Sequence, residues 1–312
     1  MDSGKKLIVA ADDFGLTHRV NEAIALACRN GIVTSASLLV TAAGFESAVQ
    51  IARNEQNLDL GLHINFTEGF PITSPAKIPT LAGPNGFLYK HPVKLAAAMF
   101  RGKVKVADLE LELRAQIEKS LASELWLSHF DGHKHVHVLP AVYRIIRKLA
   151  QEYGIHAIRA PYERVPRVAS LLSRNKGSRV QIVTQCVFGR LISTASSVSR
   201  VGKTQPGLFS PKYFYGIAQT GFLDLQSFAD IINDLGPGMH ELMCHPGYVD
   251  EDLAKTPTRL RAQRERELEL LTGSEVRGLL KQADVSLISF RDLVESYGDR
   301  GSNQVLHRYS AL

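Results

Sequence analysis

The stretch Leu7-Ile8-Val9-Ala10-Ala11-Asp12-Asp13-Phe14-Gly15 drives five apolar residues straight into two adjacent carboxylates and a glycine. A short apolar run that ends on a polar loop reads as a strand buried on both faces, as parallel sheets require. Behind it, Val20, Ile24 and Ala27 recur at helical spacing over 17–30 and stop at Gly31. The alternation returns with strand signals at 33–40 and 58–66 and a helix over 45–53 between them. Further apolar runs at 125–130, 157–160, 241–244 and 285–289 precede helical patterns, notably 141–153 behind Pro140 at a first-turn position. Repeated βα units predict an α/β fold with a parallel sheet, and seven strands come close to a (β/α) barrel.

No internal repeat, low-complexity tract or Pro/Gly linker divides the 312 residues, so one domain over 1–312 is expected. The alternation lapses near 67–105, where 67–90 is rich in Pro and Gly, and near 161–215. Both follow candidate strands, which in parallel βα architectures places them over the active-site face as substrate-shaping insertions. Hydrophobic residues at 45% and charged residues at 22% exclude disordered and fibrous classes. The apolar run at 7–11 is too short for a signal peptide or a membrane span, so a cytoplasmic protein is expected. Cys28, Cys186 and Cys244 are odd in number and widely separated, which speaks against disulfides and against a Cys-based zinc site.

The net charge of +6 is concentrated: residues 159–203 hold nine Lys/Arg against the single acid Glu163. A surface insertion explains this, and an anionic substrate or the anionic inner face of a membrane is the alternative partner. Nucleic acid is not expected, because the segment lacks interleaved aromatics.

Chemistry gathers at the ends of the strands. Asp12 and Asp13 would repel one another unless a cation or a protonation difference separates their roles, although an N-cap turn also suits the pair. His63 falls late in a strong strand, where a hydrogen-bonded core histidine is the plain alternative to a ligand. The richest segment places His129, Asp131, His133, His135 and His137 at alternate positions, and extended backbone would send all five to one side. Imidazole is the commonest nitrogen ligand, and a nearby carboxylate can fix its tautomer. His245, before Pro246-Gly247, comes from a late strand to the same rim. His240 reads as structural and Asp250 as a solvated loop carboxylate. Neither a His-Glu-x-x-His nor a Cys-containing zinc motif is present, so the ligands must come from several strand ends.

Taken together, Ala11-Asp12-Asp13-Phe14-Gly15, Gly61-Leu62-His63, the segment from Asp131 to His137 and Cys244-His245-Pro246 resemble the YdjC family, also called the ChbG/HpnK deacetylases. Asn30-Gly31-Ile32-Val33-Thr34-Ser35 and Phe214-Tyr215-Gly216 add to the likeness, which spans nearly the whole chain. The resemblance implies a single deformed (β/α) barrel related to polysaccharide deacetylases and metal-dependent removal of an N-acetyl or other acyl group from an amino sugar, chitooligosaccharide-like or lipid-linked. By position it implies that Asp13, His63 and His133 hold a divalent ion, Mg2+ or Zn2+, with Asp12 as base and His245 as acid, the two aspartates being interchangeable. Asp131, His135, His137, Tyr215 and Arg159 are expected to orient ligands or meet substrate. Lys134 stands where some relatives carry a further histidine. A homodimer is a candidate assembly. Competing readings are a metal-dependent phosphoesterase or other amidohydrolase on the same barrel, and a sugar-binding protein without turnover.

Overall fold

In the computed structural model, which describes residues 4–199, 201 and 207–298, the opening apolar run becomes the central strand of a parallel sheet. The strands are β1 (Lys5–Phe14), β2 (Ser35–Leu38), β3 (Asp59–Ile64), β4 (His129–Gly132), β5 (Ala157–Ile158), β6 (Tyr213–Tyr215), β7 (Gly238–Cys244) and β8 (Val285–Leu287). Their order is β5-β4-β3-β2-β1-β7-β6, with β8 on β1. β1 pairs with β7 from Lys5↔Gly238 to Ala11↔Cys244. Its other edge is shared: β8 takes Lys5 to Leu7 and β2 takes Ala10 to Phe14. The sheet curls until isolated bridges Ala157↔Phe209 and Glu163↔Phe214 join its two edges. The result is the expected deformed barrel, with helices such as His18–Arg29, Phe45–Asn54 and Pro140–Tyr153 around it.

The seven expected strands all form, and β6 is an eighth, inside the segment that the sequence suggests is an insertion. Three residues between a basic stretch and a Gly leave too little apolar pattern to announce a strand. A second difference is chemical. Extended backbone stops at Gly132, and Lys134 and His135 turn through left-handed conformations with φ of 53° and 57°. The five alternating side chains therefore do not share one side. His129 stays on the strand, buried and stacked on Phe290 with ring centroids 3.8 Å apart, while His133 swings to the rim.

Two glycines explain themselves through close approach. Gly15, at φ 103°, ends β1 where a Cβ would come within 2.8 Å of the Leu39 carbonyl oxygen. The buried Asn21 side chain accepts from its N–H and fixes the turn. Gly61 lies under the His129 ring, whose Nε2 would be 2.3 Å from an added Cβ.

Carboxylates of the helix Val106–Ala122 pin the Pro/Gly-rich stretch that follows β3. Glu112 accepts from the N–H groups of Ile72 and Thr73, and Asp108 from Thr80. The basic segment is held differently. Arg164, Arg167 and Arg174 face Asp234, Asp230 and Asp224, which belong to or cap the helix Leu225–Asp234. Arg159 does not reach the surface at all: it is 0% exposed inside the barrel, so it adds nothing to a surface patch over 159–203.

Candidate metal centre

The C-terminal ends of β1, β3, β4 and β7 deliver Asp12, Asp13, His63, His133 and His245 to one cleft of about 880 Å³. Successive strand residues ordinarily face opposite sides. Asp13 escapes that constraint by adopting a left-handed conformation at φ 70°, one that aspartate tolerates better than most residues. Both carboxylates therefore line the cleft.

Around Asp13 the geometry could hold a cation. Its Oδ1 is 3.8 Å from His63 Nε2 and 3.4 Å from His133 Nδ1. Candidate ligand atoms of the three residues all lie within 4.8 Å of one another. Each is already positioned from behind. The far nitrogen of His63, Nδ1, is 2.8 Å from Asp131 Oδ1, so that nitrogen donates and Nε2 is left toward the cleft. The far nitrogen of His133, Nε2, lies 3.3 Å from Glu68, which is also paired with Lys134. Arg264, buried, donates to the second oxygen of Asp13 at 2.5 Å. Two imidazole nitrogens and a carboxylate oxygen converging from three strand ends fit a divalent metal ion. Asp12, His63 and Asp131 form a second, overlapping group of possible ligands.

The charges are arranged for this. Against its burial, Asp13 is held well below the usual carboxylate range by the Arg264 guanidinium and by His133. His133 is pushed up to about 9, Asp13 and Glu68 outweighing burial. His63 is raised as the Asp131 carboxylate overcomes the same cost. A cluster that draws protons onto its imidazoles is one in which positive charge is favoured.

Asp12 is fixed by a different guanidinium. Arg159 grips it through two hydrogen bonds of 2.9 and 2.7 Å. The same guanidinium reaches Asp131 at 2.7 Å and Glu241 at 2.6 Å. One buried cation among three carboxylates makes every partner interdependent, since removing any one leaves charge stranded in low dielectric. Burial lifts Glu241 to about 7 despite Arg159, so that carboxyl can carry a proton at neutral pH.

His245 presents its side chain to the cleft while its N–H donates to Glu267 at 2.6 Å. Among the described residues its buried Nδ1 meets no hydrogen-bond partner, and burial pushes the imidazole down to about 4. The ring is thus neutral at rest.

Other expected residues lie elsewhere. His135 lines the cleft, but His137 does not and is fully buried. Tyr215 is fully buried, donates to Asp234 at 2.9 Å and stacks with His240, so the structure does not bring it to the cleft. His240 is structural, bonded to the Gly236 carbonyl. Asp250 caps the short helix Glu251–Lys255 rather than standing free. Three contributors were not evident from the sequence: Glu68, Glu267 and Arg264. The last sits in Arg-Ala-Gln-Arg-Glu-Arg-Glu-Leu-Glu, where nothing in composition distinguishes it from a solvated helix face.

The family profile described as YdjC-like protein matches residues 6–282. A carbohydrate deacetylase from Brevibacillus brevis is 32% identical over 289 residues, covering 92% of this chain and 99% of that protein. A carbohydrate deacetylase from Mus musculus is 34% identical, with 92% and 94% covered. Among solved structures, an Enterococcus faecalis protein provisionally named for cellobiose-phosphate cleavage superposes with a TM-score of 0.71 at 23% identity, covering 93% of this chain and 99% of its own. That likeness concerns the fold.

Proposed function

This chain belongs to the YdjC-like family, and we propose that it is a metal-dependent carbohydrate deacetylase that hydrolyses the N-acetyl group of an amino sugar, working as one catalytic unit. The observation that carries the proposal is the meeting of Asp13, His63 and His133 with Asp12 and His245 in a single cleft. The names of the relatives, carbohydrate deacetylases covered over nearly their full length, supply the bond and the class of substrate.

Asp13, His63 and His133 would hold the ion, zinc or magnesium. When bound there, a divalent ion polarises the acyl carbonyl and makes water more acidic. The chain's own groups do the remainder. Asp131 and Glu68 keep the two imidazoles turned toward the ion, and Arg264 keeps Asp13 in place. Asp12, oriented by Arg159, accepts a proton from the attacking water. His245 delivers a proton to the amine as the C–N bond breaks. Because burial leaves His245 neutral at rest, the proton it delivers replaces the one that Asp12 takes from the water and then gives up, so that both groups return to their resting states once the amine has left. Leu16, Phe188, Ile217 and Leu260 line the same cleft and give it apolar surface beside the reacting groups. Residues from both expected insertions, Glu68 and His91 from one and Gln181 and Thr184 from the other, border the space where a sugar would lie.

The test is acetate release from a panel of N-acetylated amino sugars by protein stripped of metal and reloaded with zinc or with magnesium. Acetate released only by the loaded protein supports the proposal. Release of phosphate from phosphosugars without acetate, or sugar binding without turnover, overturns it.

A further inference from the structure

The helix Arg179–Ser199 forms a wall of the cleft, yet only one side of it is packed. Its buried residues are Ile182, Gln185, Gly189, Ile192 and Ser196. On the opposite side Val180, Val183, Val187, Leu191 and Val198 are 82%, 50%, 55%, 63% and 71% exposed. At about 3.6 residues per turn these five fall along one line. Single exposed apolar residues are ordinary, whereas a continuous stripe on a helix is not.

The charge around the stripe is equally one-sided. Between Glu163 and Asp224 the sequence contains no acid and nine Lys/Arg. Arg164, Arg167 and Arg174 are matched by aspartates. Among the described residues, no carboxylate forms an ion pair with Lys176, Arg179 or Arg190. Arg179 and Arg190 stand about three turns apart on one flank of the stripe. On the other flank Gln181, Thr184 and Phe188 face the cleft.

We propose that this stripe docks the protein on an anionic membrane surface, with the helix in the plane of the headgroups and the mouth of the cleft beside it. An apolar line with arginines along one flank and no acid in its own helix is what a helix lying in the interface presents. No helix among the described residues is long and apolar enough to cross a membrane. A free phosphate would satisfy the arginines and leave the valines in water. A second copy packed stripe to stripe would press two acid-free cationic segments together. The surface goes beyond the hydrolase reading, because it concerns where the cleft works and not which bond is cut.

The experiment is co-sedimentation of the full chain with phosphatidylcholine vesicles containing or lacking phosphatidylglycerol. Wild-type protein should bind the anionic vesicles and release as salt rises. Val187→Asp with Leu191→Asp should weaken binding at least tenfold, and Arg179→Ser with Arg190→Ser should reduce both binding and its salt dependence. Hydrolysis of a soluble N-acetylated sugar, measured on the same samples, should be unchanged by either pair, so a failure here and a failure of the hydrolase reading are told apart. No binding to either vesicle, equal binding to both, or undiminished binding by the aspartate pair overturns the proposal. So does light scattering that shows a wild-type dimer made monomeric by Leu191→Asp.

Discussion

Asp131 Oδ1 lies 2.8 Å from His63 Nδ1, and the other oxygen of the same carboxylate accepts from Ser37 and Arg159 at 2.7 Å. One side chain thus sets the direction of a candidate ligand and is itself fixed twice. Asp131→Asn keeps the shape but weakens its hold on the imidazole. Metal affinity should fall roughly 10- to 100-fold, read by competition with a chromophoric chelator. Unaltered affinity would mean that His63 is not a ligand or needs no such support.

Asp12 should separate catalysis from metal holding. Asp12→Asn retains a side chain that Arg159 can grip through one oxygen, so the expected outcome is near-normal metal content with kcat lowered about 10²- to 10⁴-fold. His63→Ala and His133→Ala should instead lose the metal. Elemental analysis alongside kinetics distinguishes the two patterns, and metal loss in Asp12→Asn would exchange the roles of Asp12 and Asp13.

His245, neutral at rest with its imidazole near 4, should add no limb to the kcat/KM profile between about pH 5 and 8, since that profile reports the free enzyme. His245→Ala should keep the metal and lose most of kcat on the amide. A phenyl acetate with a good leaving group needs no proton there and should lose far less. Equal proportional losses on both substrates would make His245 a structural residue.

Glu163 offers a pH test away from the metal. Burial pushes it up to about 8, although it accepts from the N–H groups of Ile217 and Ala218. A carboxyl raised from its ordinary 4.5 favours the fold while protonated, so its contribution is present in full below that value. It is lost as pH rises through 8. Glu163→Gln should therefore match wild-type melting near pH 5 and exceed it near pH 8, by at least about 2 °C. A gap that does not grow with pH would show that Glu163 ionises freely in the fold.

Gly61→Ala should destabilise by about 1–3 kcal/mol, because the His129 ring above it is packed against Phe290 and cannot retreat. Chemical denaturation measures this directly. The glycine before His63 is a packing requirement, one that the sequence pattern displays without explaining.

What could be read in advance follows from what leaves a local trace. Apolar runs ending in polar residues marked β1, β3 and β7, and hence Asp12, Asp13, His63 and His245. The alternation of histidines points to His133 but predicts extended backbone, whereas the chain turns at Lys134 and His135, whose left-handed φ no side-chain pattern announces. Arg159 stands both in the charge excess and among the residues expected to orient ligands or meet substrate, yet its place beneath Asp12 depends on β5 lying across the barrel from β1. Arg264 had no trace at all, because its partner is 251 residues away in the chain.

That separation also governs how the protein is made. β1 meets β7 across residues 5–11 and 238–244, and Asp13 meets Arg264. A ribosome releases the N-terminal residues first, at roughly 5–20 residues per second. The first strand of the sheet therefore waits through most of translation with its β7 edge, and the part of its other edge that β8 takes, open, and such edges invite association with other chains. Chaperone demand should fall on this nascent interval, and a chain stalled before residue 238 should be a client for holdases while still unable to complete its catalytic cleft.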